Sequence, residues 1–111
     1  MAKRREAQDL IRGAMDVLIF RSLEAQPLSG VEIADWIDGR TEGELRPGDA
    51  GLYQALHRLE RKGFLLSEWG VNADGRRAKY YDLSALGRER LESELEAWSR
   101  YMGAMRRVIE P

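Results

Sequence analysis

Basic side chains are concentrated between residues 46 and 79. This stretch holds seven Lys or Arg residues against four Asp or Glu residues, whereas the whole chain of 111 residues has a net charge of −1. Lys and Arg bind phosphate, and Arg and Gln also form paired hydrogen bonds to guanine and adenine edges. The overall charge argues against a nucleic-acid partner, but local patches decide where a polyanion binds. The chemistry that this stretch favours is therefore the binding of duplex DNA.

Catalysis and metal binding have no comparable support. The chain has no Cys and a single His, His57, so it lacks disulfides, thiolate zinc ligands and a Cys nucleophile. The sequence shows no Gly-rich phosphate loop and no pairing of a nucleophile with a base. Glu92 and Glu96 are spaced as on the polar face of a helix. We therefore predict no enzyme activity, no metal site and no cofactor.

The first part of the basic stretch has the pattern of an amphipathic helix, with Asp49 as its predicted N-cap and Gly63 as its stop. The inward positions are Leu52, Ala55, Leu56 and Leu59. The outward positions, which we predict to contact DNA, are Tyr53, Gln54, His57, Arg58 and Arg61. The alternatives are an ordinary solvent-exposed face and, for Tyr53, a place at the edge of the core.

Two predicted strands, 64–69 and 78–83, follow this helix and are joined by a turn at Asn72–Gly75, where Asp-Gly is a strong hairpin signal. Arg76, Arg77 and Lys79 lie beside the turn, and we predict that they bind DNA phosphates, the alternative being a solvated hairpin face. Tyr80 and Tyr81 alternate, so one should pack inward. Trp69 and Trp36 are expected in the core or at its edge. A basic helix followed by a basic hairpin is the arrangement of a winged helix-turn-helix.

The residues before this stretch fit the same fold class. The periodicity predicts a helix over residues 7–24, a break at 26–28, and a second helix that begins with a capping box at Ser29 and Glu32. We expect the second helix to end near Asp38–Gly39, with Gly39 able to take the left-handed cap, and a loop over 40–48 with a short strand at 44–46. Residues 1–83 thus form a predicted winged helix-turn-helix domain, mainly α with a small β-hairpin (α+β).

Residues 84–111 are predicted to form one long dimerisation helix of about 25 residues, capped by Ser84. Large apolar residues recur along it at spacings of four and three, which is typical of a coiled-coil seam. The seam positions are Leu91, Leu95, Trp98, Met102, Met105 and Ile109. A second copy of the chain is the simplest partner for such a stripe, giving a two-fold dimer.

Trp98 has two interpretations. The first is an aromatic anchor in the dimer core. The second is a stacking wall for a flat aromatic effector, with Met102 as an adaptable neighbour and Trp36 facing the same cavity.

The chain resembles the PadR family of bacterial transcriptional regulators over about residues 10–98. The similar stretches are Leu18–Leu23, Pro27–Ala34, Gly51–Glu60, Gly70–Tyr81 and Leu83–Gly87. Two motifs make the resemblance specific: Leu-Tyr-x-Ala-Leu-x-x-Leu-Glu and, further along the chain, Gly-Arg-Arg-x-Lys-Tyr-Tyr. The family often has Tyr where Val31 stands, Thr or Ser where Gly51 stands, and Pro where Gln54 stands. Position 51 therefore lacks a hydroxyl that could bind phosphate, and Gln54 is a candidate for reading a base.

The resemblance implies a homodimeric winged-helix repressor that binds an inverted-repeat operator, in the subfamily with one short C-terminal dimerisation helix. Some relatives are released from DNA by phenolic acids or bulky aromatic cations. The alternative function is a winged-helix protein-interaction or dimeric scaffold module without DNA binding, which the net charge of −1 favours.

The location of the protein and the role of its first residues are further expectations. No apolar run approaches the roughly 20 residues of a membrane span, and the basic start lacks the apolar core of a signal peptide, so we expect a cytoplasmic protein. Lys3, Arg4 and Arg5 are expected to form a frayed tail, the alternative being a basic arm that reaches DNA.

Overall fold

The computed structural model describes residues 14–110. Within that range the first helix, α1, includes residues 14–22. The elements that follow are β1 (Leu28–Ser29), α2 (Gly30–Arg40), α3 (Asp49–Arg61), β2 (Leu65–Val71), β3 (Arg77–Leu83) and α4 (Ala85–Ile109). The predicted α+β class is confirmed. The predicted first helix extended to residue 24, but α1 ends at 22, and residues 7–13 lie outside the described part of the chain.

The sheet has three antiparallel strands in the order β1-β3-β2, not the two of the predicted hairpin. The additional strand, β1, pairs Leu28 with Tyr81 and Ser29 with Tyr80. Two residues are too few to show the alternation that identifies a strand, and Pro27 favoured a break. β1 joins the start of α2 to the middle of β3 and so places α2 beside the hairpin.

The capping box at the start of α2 is confirmed, because Ser29 Oγ accepts a hydrogen bond from the Glu32 amide (3.3 Å) and the Glu32 carboxylate accepts one from the Ser29 amide (2.9 Å). α2 ends one residue after the predicted Asp38–Gly39, and the predicted left-handed cap at Gly39 is wrong. The helix continues through Gly39 to Arg40, and Thr41 caps it with its hydroxyl on the Ile37 carbonyl at 2.8 Å.

The connection after α2 also differs from the prediction. Its left-handed residues are Glu42 and Gly43, with φ of 54° and 82°. The strand predicted at 44–46 does not form, since the Leu45 amide donates to the Thr41 hydroxyl instead of a neighbouring strand.

At the start of α3 the predicted cap is displaced by one residue. Gly48 occupies the N-cap without a side-chain hydrogen bond, and Asp49 is the first helical residue. A carboxylate in the first turn still stabilises a helix through the helix dipole.

The hydrophobic core lies between α1, α2, α3 and the inner face of the sheet. Its fully buried side chains are Ile19, Phe20, Leu23, Ile33, Ile37, Leu52, Leu56, Leu59 and Leu65. Only one face of α3 packs against the core. The other face is exposed and carries Tyr53, Gln54, His57 and Arg61. Every helix described between residues 14 and 110 is too short or too polar to span a lipid bilayer.

The predicted cap of α4 is confirmed, since Ser84 Oγ accepts from the Gly87 amide (2.9 Å) and donates to the Gly63 carbonyl (2.6 Å). Leu91, predicted as part of the dimer seam, is 3% exposed and packs into the core of its own chain. The apolar stripe that projects beyond the domain therefore begins at Leu95, not at Leu91. It continues through Met102 and Met105 to Ile109, all of which are exposed.

Candidate nucleic-acid interface

The hairpin formed by β2, β3 and the turn between them, called the wing below, has a well-fixed tip. The Asn72 side-chain oxygen accepts hydrogen bonds from the amides of Asp74 and Arg76, each at 3.0 Å. The Asn72 amide donates to the Arg76 carbonyl, and Gly75 has a φ of 78° that favours glycine. Arg76 and Arg77 are exposed and leave this tip from a defined backbone.

A groove of about 790 Å³ separates α3 from the wing. Tyr53 and His57 line it from α3, and the wing contributes basic side chains from its tip and from β3. Five of the eight residues predicted to bind DNA meet there: Tyr53, His57, Arg76, Arg77 and Lys79. Gln54 and Arg61 are exposed on α3 outside the lining of the groove. We call this feature the α3–wing groove.

Tyr53 reaches the groove because α2 begins with glycine. A Cβ atom on Gly30 would lie 2.6 Å from the Tyr53 hydroxyl oxygen and 2.8 Å from its ring. The ring therefore lies flush against the α2 backbone while 40% of the residue stays exposed. The position of Tyr53 depends on a residue 23 positions away, and the sequence alone gave no sign of this contact.

Arg58, predicted to face DNA, bonds within the chain. Its guanidinium donates two hydrogen bonds to the Asp16 carboxylate, at 2.6 and 3.2 Å. This hydrogen-bonded partner raises the pKa of Arg58 above its ordinary value. The pair joins α1 to α3 and restrains the rotation of α3 about its own axis. Arg58 therefore acts within the protein by orienting α3.

Lys79 also bonds within the chain, to Glu60, which no sequence motif marks as its partner. Lys79 Nζ lies 3.2 Å from a Glu60 carboxylate oxygen, and the Ser67 hydroxyl donates to the other oxygen. Glu60 is on α3, Ser67 on β2 and Lys79 on β3, so one carboxylate connects the helix to both strands of the wing. The hydrogen bond from Ser67 lowers the pKa of Glu60, and Lys79 adds to this effect.

We expect Glu60→Gln to lower the free energy of unfolding by about 1 kcal/mol at pH 7, because the amide is a weaker acceptor and leaves Lys79 without a counter-charge. The folded-state pKa of Glu60 lies below its ordinary value of 4.5. The stabilisation is therefore present above about pH 4.5 and is lost as the pH falls through the folded-state pKa.

Urea unfolding of wild type and Glu60→Gln between pH 7 and pH 3 tests this expectation. The difference in free energy of unfolding between wild type and Glu60→Gln should become smaller as the pH falls. Glu89→Gln, at an exposed position of α4, is the matched control and should show little difference at any pH. A gap between wild type and Glu60→Gln that stays constant down to pH 3 would contradict the role of the ionised carboxylate.

The prediction that Trp69 lies in the core or at its edge is wrong. Trp69 is 56% exposed on β2, and the guanidinium carbon of Arg77 lies 4.6 Å from its ring centroid. Of the two adjacent tyrosines, Tyr81 is the inward one, as alternation requires, and Tyr80 is half-buried. Trp69 lines the α3–wing groove, which periodicity did not predict, because alternation gives the face of a strand but not how far along that face the core extends.

Trp36 does not line the cavity that the structure shows beside Trp98. Trp98 packs edge-on against Tyr101 with ring centroids 5.3 Å apart, and these two residues with Ala97 line a cavity of about 260 Å³. Trp36 is half-buried against the core, with Arg40 stacked over its ring at 4.8 Å.

Between residues 14 and 110 no group of three or more His, Asp or Glu residues could hold a metal ion. Lys3, Arg4 and Arg5 lie outside the described residues.

The order of elements, the exposed α3 and the adjoining two-stranded wing define a winged helix-turn-helix protein. Residues 19–93 match the model of the transcriptional regulator PadR-like family. The chain therefore belongs to the PadR-like family of transcriptional regulators.

Solved structures agree with this assignment. A transcriptional regulator from Clostridium thermocellum superposes with a TM-score of 0.82 at 26% identity, covering 92% of this chain and 99% of that one. A PadR family regulator from Clostridium difficile gives 0.73 at 30% identity, covering 87% and 99%. Bacillus subtilis PadR in complex with operator DNA shares the fold with a TM-score of 0.67 at 21% identity, covering 74% of this chain and 46% of that one.

Proposed function

We propose that the protein is a homodimeric, sequence-specific DNA-binding repressor that occupies an inverted-repeat operator. The observation that carries the proposal is the α3–wing groove, where side chains from α3 and cations from the wing meet although the chain as a whole is slightly anionic. The operator complex of the Bacillus subtilis relative supports duplex DNA as the partner.

In the proposed mechanism α3 enters the major groove and the wing contacts the phosphate backbone. Gln54 and Arg61 are exposed on α3, and their side chains suit bidentate contacts to base edges. Arg76 and Arg77 at the fixed wing tip bind phosphate. Arg58 and Lys79 act first within the protein, by holding α3 against α1 and the wing against α3.

Dimerisation is proposed through α4, whose stripe from Leu95 to Ile109 is otherwise an apolar surface in water. A two-fold dimer presents two α3 helices to two half-sites, which are about 34 Å apart when separated by one turn of DNA. Repression then needs no chemistry, because an occupied operator excludes the polymerase.

Alanine at both Arg76 and Arg77 should lower DNA affinity about tenfold or more on specific and unrelated duplexes alike. It should also reduce the slope of log affinity against log salt by about two, because two phosphate contacts are lost. Fluorescence anisotropy with the duplex upstream of the protein's own gene measures both effects.

The matched control for this double variant is Arg88→Ala with Arg100→Ala. Both residues are exposed on α4, so the control loses the same charge away from the proposed interface and should bind nearly as wild type. Unchanged affinity in the Arg76 and Arg77 variant, or equal losses in both variants, would refute the proposed wing contacts.

A small aromatic effector is a second proposed element, supported by the apolar cavity beside Trp98 and Tyr101. Met102 and Trp36 are the other proposed contacts, Trp36 by way of the partner subunit. An effector must bind the DNA-free geometry better than the DNA-bound one. Quenching of tryptophan emission by aromatic cations or phenolic acids, abolished by Trp98→Ala, would support it. A panel without any such quenching would argue against it.

A further inference from the structure

One face of the wing looks toward α3. Directly opposed residues of an antiparallel pair share a face. The register on this face pairs Ser67 with Tyr81, Trp69 with Lys79, and Val71 with Arg77. Ser67 and Lys79 both bond to Glu60 of α3, so this face looks toward α3. Its residues Trp69, Arg77, Lys79 and Tyr81 line the α3–wing groove. Trp69 lies one step nearer the tip than Ser67.

This face combines apolar surface with positive charge. Trp69 is 56% exposed and Val71 is 68% exposed, so the outer half of β2 carries a large apolar surface. Arg77 and Lys79 stand opposite these two residues on β3. Neighbouring apolar side chains that are exposed on one face and bordered by charged residues are typical of a contact surface.

Trp69 also holds Arg77. The guanidinium carbon lies 4.6 Å from the indole centroid, within the range of a cation–π contact. A guanidinium stacked on an aromatic face keeps its in-plane N–H donors available for phosphate. The stack also restricts the arginine before binding, which reduces the conformational entropy lost when a phosphate is bound.

A single strand of duplex DNA has the complementary pattern, since anionic phosphates alternate with apolar deoxyribose rings. We propose that the α3–wing groove takes one sugar–phosphate strand, with the Trp69 indole packed against a deoxyribose and Arg77, held by that indole, on the adjacent phosphate. Trp69 is then a DNA contact and a positioning residue for Arg77. This inference rests on the proposed function.

The test compares two apolar truncations on the same strand. Trp69→Ala should lower affinity for duplex DNA by roughly fivefold to thirtyfold, the range expected for loss of an aromatic stacking contact. Leu66→Ala is the matched control, because Leu66 is equally exposed (58%) but paired with Asp82 on the other face of the wing. It should change affinity by less than about twofold, within the small effect of an exposed substitution.

A double-mutant cycle tests the positioning role. If the indole holds Arg77, Trp69→Ala costs less affinity in the Arg77→Ala background than in wild type. Additive losses overturn the positioning role. If Trp69→Ala leaves the affinity of a DNA-binding protein unchanged, Trp69 is not a DNA contact. The same conclusion follows if Leu66→Ala lowers the affinity as much as Trp69→Ala does. Absence of DNA binding by the wild-type protein would instead overturn the proposed function itself.

A spectroscopic measurement covers the case in which Trp69→Ala fails to fold. In a Trp36→Phe, Trp98→Phe protein, Trp69 is the only tryptophan. Its emission should shift or be quenched on addition of a duplex. Emission that stays unchanged at saturating DNA overturns the inference.

Discussion

In the proposed α4 dimer, Met102→Glu is expected to separate the two subunits and to lower the affinity for the proposed operator by a factor of about 100 or more. Met102 is 54% exposed in the middle of the apolar stripe of α4. A carboxylate there would be buried without a partner when two stripes pack together. Each half-site would then be bound by a single wing and α3, and the gain from linking two binding units, roughly 10²-fold to 10⁴-fold, would be lost.

Analytical ultracentrifugation and anisotropy on an inverted-repeat duplex measure the two effects together. Ser93→Glu is the matched control, since Ser93 is exposed on the opposite side of α4 from Met102 and receives the same charge. It should remain dimeric and bind DNA. A Met102→Glu protein that stays dimeric with wild-type affinity would show that α4 does not form the dimer.

Alanine at Gly87 is expected to destabilise the fold by about 3 kcal/mol, the upper end of overpacking costs, and to lower the melting temperature by roughly 10–20 °C. Gly87 lies in the first turn of α4. An added Cβ would sit 2.1 Å from the Phe64 backbone carbonyl oxygen and 3.2 Å from a Leu83 methyl carbon. The carbonyl cannot turn aside freely, because it also accepts the Ser84 amide at 3.1 Å.

Gly39→Ala is the control for this substitution. Gly39 is exposed within α2, and nothing lies within 4 Å of its added Cβ. Alanine there should stabilise the protein by up to about 1 kcal/mol through its higher helix propensity. Equal melting temperatures for Gly87→Ala and wild type would show that α4 does not pack as closely on the 63–64 segment as described.

Much of the fold follows from local patterns that a sequence carries. The capping box at Ser29, the cap at Ser84 and the hairpin turn at Asn72–Gly75 each depend on neighbouring residues, and all three form as predicted. The inward face of α3 follows from helical spacing alone, and its four predicted residues are buried.

The details that the sequence did not predict depend on distant partners. Asp16 and Arg58 are 42 positions apart, and Glu60 and Lys79 are 19 apart, so no spacing rule links them. These pairs change the candidate DNA interface, because Arg58 and Lys79, both predicted to contact DNA, instead join α3 to α1 and to the wing. The exposure of Trp69 likewise depends on how far the core extends along β2, and the formation of β1 depends on a pairing across more than 50 residues.

The exposed face of α3 and the wing are proposed to bind duplex DNA together. Backbone amide chemical shifts recorded by NMR during titration with a duplex test it most directly. We expect the largest chemical-shift changes at the exposed positions of α3 and between residues 69 and 79, with α2 beyond its first turn little affected. Shifts confined to α4, or none at all at saturating DNA, would contradict it.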